Sequence, residues 1–348
     1  MNTLCNNIKK ENPLISIIIP VYNASLFIEK TIKNLVEQKV DKEIVHVNDG
    51  STDNSLEVIN KLKNKFECIR VINQENKGVS AARNNGIDNA NGDYIIFIDS
   101  DDLLEKDTLE KLYSKYQIYN CDLVLSTYKI CFDNNSIVDT FKYIDSGFYN
   151  IEFFLSEYYK LFTTRILHCI GTKLYKKSII DKYNIRFNES LAYYEDINFC
   201  LSYFKKIKNV FFINESLYKY MQINADSLAN KYKNNFPEIS NFTLASQKEL
   251  LELVYGKMII FEDFQKIILD DFYWGVINEI NHKISFIGKS KNINKLVSNG
   301  FIYKTLDNSK IHSNNRLKTT VLKSGNSFLI TCLFEVSRIC RNFIKLFI

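Results

Sequence analysis

Along the first third of the chain, short apolar runs alternate with stretches whose apolar residues recur every three to four positions. The runs are "ISIII" (15–19), "EIVHV" (43–47), "IRVI" (69–72), "YIIFI" (94–98) and "DLVLST" (122–127). Amphipathic stretches follow the first four, from about Leu26 to Glu37, Asp53 to Lys65, Val79 to Ala90 and Asp107 to Ile118. β-rich runs separated by helices of this length predict a doubly wound α/β sheet. Ligands of such sheets bind beyond the carboxyl ends of the strands. The segments at those ends are "PVYN" (20–23), "NDGSTD" (48–53), "NQENKG" (73–78) and "DSDD" (99–102). They are turn-forming and mostly polar, and the pattern predicts that they converge on one edge.

The alternation weakens from about 147 to 235. "GTKLYKKSII" (171–180) and "YYEDINFCLSYF" (193–204) read as helices or helix starts, "VFFI" (210–213) and "LYKYMQI" (217–223) as strands. From about Ile239 onward the periodicity is mainly helical. A boundary near Pro237 is expected, giving a first domain over 13–236 and a mainly helical region over 237–348.

Composition adds three constraints. A chain of 348 residues with 46% hydrophobic and 24% charged residues is an ordinary globular protein, long enough for two domains. Its net charge of +5 is uneven: from Lys289 onward 11 Lys and Arg face two acids, Asp307 and Glu335. A basic tail on a mildly acidic body suggests a polyanionic partner or an anionic membrane surface. None of the 8 cysteines forms a C-x-x-C pair, which argues against a zinc site or a thioredoxin-like motif. No apolar signal core and no long uninterrupted apolar run is present, so a reduced, cytosolic protein is expected.

The chemistry lies in the strand-end segments. Asp-x-Asp at a strand end is what a hard divalent cation bridging a diphosphate requires. Taken alone, "DSDD" is equally a set of helix-capping acids, with Asp102 or Asp107 opening the next helix. "NDGSTDNS" (48–55) is a turn followed by helix caps, which accounts for Gly50, Ser51 and Asp53 but not for Asp49. "NKGVSAARNNGI" (76–87) sets Gly78 before a helix with Arg83 about one turn in, a familiar anion-binding arrangement. The first strand is followed by "PVYN" and not by glycines, so the dinucleotide fingerprint is absent, as is the Walker A pattern.

Taken in order, "SIIIPVYN", "NDGSTDNS", "NKGVSAARNNGI", "GDYIIFIDSDD", "KLYKKSII" and "YYEDINFC" resemble the inverting family 2 glycosyltransferases of GT-A fold, over roughly residues 14 to 230. The resemblance implies a mixed α/β sheet flanked by helices and a nucleotide-sugar donor, usually a UDP-sugar. Pro20, Val21 and Tyr22 would wall the base, and Asp49 would accept a hydrogen bond from it. Asn76 and Arg83 would approach the nucleotide, with Arg83 also able to offset the charge of Asp49. Asp99, with Ser100, would contact the ribose. Asp101 would bind Mn²⁺ or Mg²⁺ directly, supported by Asp99, with Asp102 capping or buttressing. Asp196 would be the base that takes the acceptor proton, oriented by Glu195.

Many relatives carry a histidine ligand after a Tyr-rich strand; here "YKYMQINADSLAN" aligns Asn224 with it, or else Gln222. The implied acceptor is a hydroxyl of a glycan or lipid-linked glycan in surface-polysaccharide, lipopolysaccharide or capsule biosynthesis. A non-catalytic sugar-nucleotide or carbohydrate-binding protein on the same fold is the alternative; retention of both Asp101 and Asp196 argues against it. A nucleotidyltransferase would show a Gly-rich basic loop after the first strand. No nucleic-acid partner is expected, and a homo-oligomer is compatible with the sequence. "LFEVSRICRNFIKLFI" (333–348) reads either as an in-plane membrane helix or as a closing helix on a domain or partner. The first reading would put a peripheral enzyme at the cytoplasmic face of the inner membrane.

Overall fold

The computed structural model describes residues 14–132, 136–139, 144–222, 235–256, 261–281, 285–297, 326–327 and 329–332. The chain divides into two compact units, residues 1–224 and 225–348.

In the first unit β1 (Ile15–Val21), β2 (Lys42–Asp49), β3 (Ile69–Gln74) and β4 (Tyr94–Phe97) run parallel in the order β3-β2-β1-β4. They are connected by α1 (Ile28–Val36), α2 (Ser55–Lys63) and α3 (Val79–Asp88). The chain continues through β5 (Leu103–Leu104), α4 (Thr108–Tyr119), β6 (Leu123–Phe132), β7 (Ile137–Asp139), β8 (Gly147–Asn150), α5 (Ile151–Ser156) and α6 (Tyr158–Thr163). It closes with β9 (Lys173–Lys176), α7 (Lys177–Lys182), α8 (Glu195–Phe204) and β10 (Asn209–Gln222). The sheet is mixed: β9 runs antiparallel between β4 and β6, and β10 lies parallel to β6 and antiparallel to β5 and β8.

The central strands are buried on both faces, which is why they read as continuous apolar runs. Ile15, Ile17, Ile18, Ile19, Val45, Val47, Ile95 and Ile96 have no solvent exposure. Register places Val21 beside Asn48 and Asp49 beside Gln74, so the loops after β1, β2 and β3 emerge together. Behind β4 an aromatic cluster fills the core: Phe97 meets Tyr175, Phe187 and Phe199 edge-on, and Phe187 stacks on Phe199 at 4.2 Å.

Two segments differ from their sequence expectation. "GTKLYKKSII" is not one helix: Ile170–Thr172 form a 3₁₀ turn, Lys173–Lys176 a strand, and only then does α7 begin. Four residues are too few for periodicity to separate strand from helix; the strand forms because β4 and β6 both pair with it. The two expected strands 210–213 and 217–223 are one strand, β10, with register shifts against β6 at Ile213/Ser216 and Ser216/Tyr218. Bulges of this kind re-aim side chains.

The second unit contains α9 (Phe236–Tyr255), α10 (Phe261–Asn281) and α11 (Phe286–Val297). Leu244, Ile267, Phe272, Val276 and Ile293 are buried in it, and Ser240 hydrogen-bonds the Asp271 carboxylate. No helix among the described residues is long and apolar enough to cross a membrane. The amphipathic stretch 333–348 lies outside the described residues.

Candidate active site

The loops at the carboxyl ends of β1 and β2 are stitched together by short polar side chains. Asn23, at φ 51°, turns the chain after "PVY". Its amide oxygen accepts the Thr52 N–H at 2.8 Å and the Asp53 N–H at 3.3 Å. Asp53 answers by accepting from Ser25 N at 3.0 Å and Ser55 N at 2.9 Å. Burial pushes the Asp53 carboxyl up, but the donors Ser55 and Ser25 outweigh it and bring the group down to about 2. Gly50 sits at φ +69°, and a Cβ there would lie 2.8 Å from the Asn76 nitrogen. Glycine is therefore required for the "NDG" turn to meet the loop after β3.

Of the three residues expected to wall a base, Tyr22 is 51% exposed, Pro20 is half-buried, and Val21 is wholly buried. The available surface is thus Pro20 and Tyr22. Asp49 is nearly covered, and its carboxylate accepts from the backbone N–H of Lys77 at 2.8 Å, Gly78 at 2.9 Å and the Gln74 amide at 2.8 Å. Backbone amides, and not Arg83, offset its charge. Asn48 orders the same turn, accepting from Ser51 N at 3.2 Å and donating to Asn73 at 3.2 Å; an aspartate could not make the second bond. Asn76 is exposed on the loop leading to α3.

Arg83 is the centre of the site. It is 3% exposed, and its guanidinium reaches Asp196 at 2.7 Å, Asp99 at 2.9 Å and Glu195 at 3.2 Å. Its plane stands 5.3 Å from the Phe187 ring. Burial alone would lower the Arg83 pKa, but Asp196, Asp99 and Glu195 more than offset it and hold it above its ordinary value. A helix-borne cation thereby joins the strand-end acid Asp99 to the acid pair that opens α8. That pair follows Tyr194, a non-glycine residue at φ 63°. Left-handed backbone in such a residue costs free energy and tends to occur where function fixes the chain.

The remaining acids of "DSDD" differ in their surroundings. Asp101 is half-buried and has no ion-pair partner among the described residues. Burial, with a contribution from Asp99, pushes it up to about 6. Asp102 is 1% exposed and accepts from the Tyr218 hydroxyl and from Met221 N. Burial, together with Asp99 and Asp101, raises its pKa well above the ordinary range. Asp196, 28% exposed, is likewise raised by burial and by Glu195 and Asp99, against the opposing pull of Arg83. Asp107, the other candidate helix cap, makes no side-chain cap bond to α4.

This donor set bears on whether a divalent cation fits. Three carboxylates (Asp99, Glu195, Asp196) meet the one guanidinium, while Asp101, beside Asp99, is partly desolvated and has no ion-pair partner among the described residues. Hard carboxylate oxygens suit Mg²⁺ or Mn²⁺. Yet no group of three or more His, Cys, Asp or Glu side chains able to hold a metal occurs among the described residues. Asn224 lies outside them. By the chemistry of their oxygens, Asp101 and Asp99 are the residues that would hold such a cation, together with oxygens of a bound diphosphate. The Asn23 clamp, the Asp102–Tyr218 pair and the left-handed Tyr194 were not anticipated from sequence. For Asn23, a local signal existed: asparagine is enriched at positive φ.

The mixed sheet flanked by helices is that of a GT-A fold, and solved structures agree. The fold superposes on a crystal structure of S. aureus TarS residues 1–349 in complex with UDP-GlcNAc, with TM-score 0.69 and 19% identity, covering 93% of this chain and 91% of that one. Residues 16–183 match the family model for Glycosyl transferase family 2. Relatives include the cholesterol galactosyltransferase of Borreliella burgdorferi, 33% identical over 60% of both chains. EpsJ of Bacillus subtilis, an uncharacterized glycosyltransferase, is 35% identical over 62% of this chain and 63% of its own. The matched region thus spans less than two thirds of these relatives.

Proposed function

We propose that the protein is an inverting, metal-dependent glycosyltransferase that moves a hexose or N-acetylhexosamine from a UDP-sugar to a hydroxyl of a glycan or lipid-linked acceptor in surface-polysaccharide biosynthesis. The observation that carries this reading is the Arg83 cluster, which brings a strand-end acid and an α8 acid within reach of one guanidinium. Donor-side and acceptor-side chemistry require such proximity, because attack and departure occur at one carbon. Relatives with names such as poly(ribitol-phosphate) beta-glucosyltransferase of Bacillus spizizenii support the polysaccharide context. The UDP-GlcNAc complex of TarS supports a uridine nucleotide donor.

In this reading Pro20 and Tyr22 flank the base beside Asp49, while Asn76, Asp99 and Ser100 line the path of the ribose and diphosphate. Asp196 takes the proton of the acceptor hydroxyl as its oxygen bonds to the anomeric carbon. The bond from that carbon to the nucleoside diphosphate breaks, and the electron pair leaves with the diphosphate. When bound, Mn²⁺ or Mg²⁺ at Asp101 would neutralise charge developing on that leaving group. Glu195 and Arg83 orient Asp196. Such a reaction belongs on the cytoplasmic side, where nucleotide sugars are made.

The test is a screen of nucleotide sugars for Mn²⁺-stimulated hydrolysis or transfer, followed by Asp196→Asn. The amide keeps the shape but cannot accept the proton, so turnover should fall about 10²–10⁴-fold with UDP affinity preserved. A loss below about tenfold would remove Asp196 from the role of base.

A further inference from the structure

The turn Asp99–Asp102 is fastened at three of its four residues. Asp102 N–H donates to the Asp99 carbonyl at 3.1 Å, closing the turn. The Asp99 carboxylate is held by Arg83 at 2.9 Å. The Ser100 carbonyl accepts from Thr31 Oγ1 at 3.0 Å. The Asp102 carboxylate reaches across to β10, where it accepts from the Tyr218 hydroxyl and, at 2.8 Å, from Met221 N. Asp101 is the member left with no ion-pair partner among the described residues.

The Asp102 contact is reinforced on both sides. Downstream, β5 pairs antiparallel with β10, Leu104 opposite Tyr218 and Leu103 opposite Lys219. Glu105 N donates to the Leu217 carbonyl at 2.8 Å, and the Glu105 carboxylate pairs with Lys219 at 3.1 Å. Tyr218 is itself 2% exposed, and a Cβ on Gly171 would come 2.2 Å from its ring. Gly171 therefore lets the phenol seat against the turn that precedes β9. A carboxylate at 1% exposure is costly to bury, so its placement against two donors of β10 calls for a reason beyond ending a strand.

We propose that Asp102 is a positioning residue: pinned to β10 by Tyr218 and Met221, it fixes the turn so that the Asp101 carboxylate faces a divalent cation. This rests on the reading of Asp101 as a metal ligand given above. Groups that orient a ligand from behind typically govern metal affinity as strongly as some ligands do. Tyr218 shares the role through its hydroxyl, which phenylalanine removes at nearly constant volume.

The experiment titrates Mn²⁺ into the full chain with UDP present and reads free Mn²⁺ by electron paramagnetic resonance. Wild type is compared with Asp101→Asn, Asp102→Asn and Tyr218→Phe, and thermal melts and metal-free UDP affinity are recorded for each. Asp102→Asn and Tyr218→Phe should weaken Mn²⁺ binding by about tenfold or more, with metal-free UDP affinity unchanged. Should one variant fail to fold, the other decides. If wild type binds Mn²⁺, Asp101→Asn does not, and both test variants stay within about twofold of wild type, the positioning role is overturned while the metal reading stands. Absence of Mn²⁺ binding by wild type overturns both.

Discussion

Replacing Arg83 with methionine removes the cation from the centre of the site at similar side-chain length. It leaves Asp99, Glu195 and Asp196 facing one another with no counter-charge from that position. Breaking a buried pair from one side typically costs about 3–5 kcal/mol, because the remaining charge is stranded. For a unit of this size that corresponds to a fall of roughly 10 °C in Tm. The effect on the base can be estimated separately. At a charge separation of about 4 Å and an effective dielectric of about 20, Arg83 favours ionised Asp196 by about 4 kcal/mol, reduced by solvent screening because Asp196 is 28% exposed. The acid limb of the pH–rate profile should therefore move to higher pH, measured as UDP release across pH 5 to 9. The stability loss should shrink as pH falls: raised carboxyl pKa values in the folded variant favour folding below the unfolded values, and this is lost as pH rises through the raised ones. Adding Glu195→Gln to the variant should restore part of the stability, a coupling of about 0.5–3 kcal/mol. Because Arg83 is 3% exposed, affinity for UDP should change little. An unmoved acid limb together with strictly additive Arg83 and Glu195 substitutions would refute the reasoning.

Asp101→Ala should abolish Mn²⁺-stimulated turnover, and chelation should do the same to wild type; full activity after either treatment removes Asp101 from metal binding. His46 has no exposure, and burial lowers its pKa from 6.5 to about 4. Its depressed folded value means that stability present above pH 6.5 is lost as pH falls toward 4, by up to about 3 kcal/mol. His46→Leu should remove that part of the acid dependence in urea melts at pH 7 and 4.5, and equal losses in both proteins would contradict it.

The first four strands were legible because β1, β2 and β4 are buried along nearly their whole length and read as continuous apolar runs, while α1 buries Ile28, Thr31, Ile32, Leu35 and Val36 along one face. β9 and β10 were not, for a shared reason. β9 is four residues long and exists because β4 and β6 present edges to it. β10 runs on through register shifts against β6, which no period in its own sequence records.

The same division runs through the site. Acids at strand ends are visible in sequence, which drew attention to Asp49, Asp99 and Asp101, although helix-capping acids look the same when taken alone. What sequence could not supply is which cation faces which acid. Arg83 lies 34 positions from Asp49 by number, yet 16 from Asp99 and 113 from Asp196, and chain distance carries no preference among the three. The choice is made by α3, which sets the Arg83 side chain against Phe187 and under α8, while the amides of Lys77 and Gly78 at the start of that same helix take Asp49. One helix therefore neutralises two sets of acids with different groups: its leading backbone amides for Asp49, and the buried Arg83 side chain for Asp99, Glu195 and Asp196. Asp49 needs no arginine because a helix N-terminus already meets it, and that leaves Arg83 to join the Asp99 and Asp196 carboxylates.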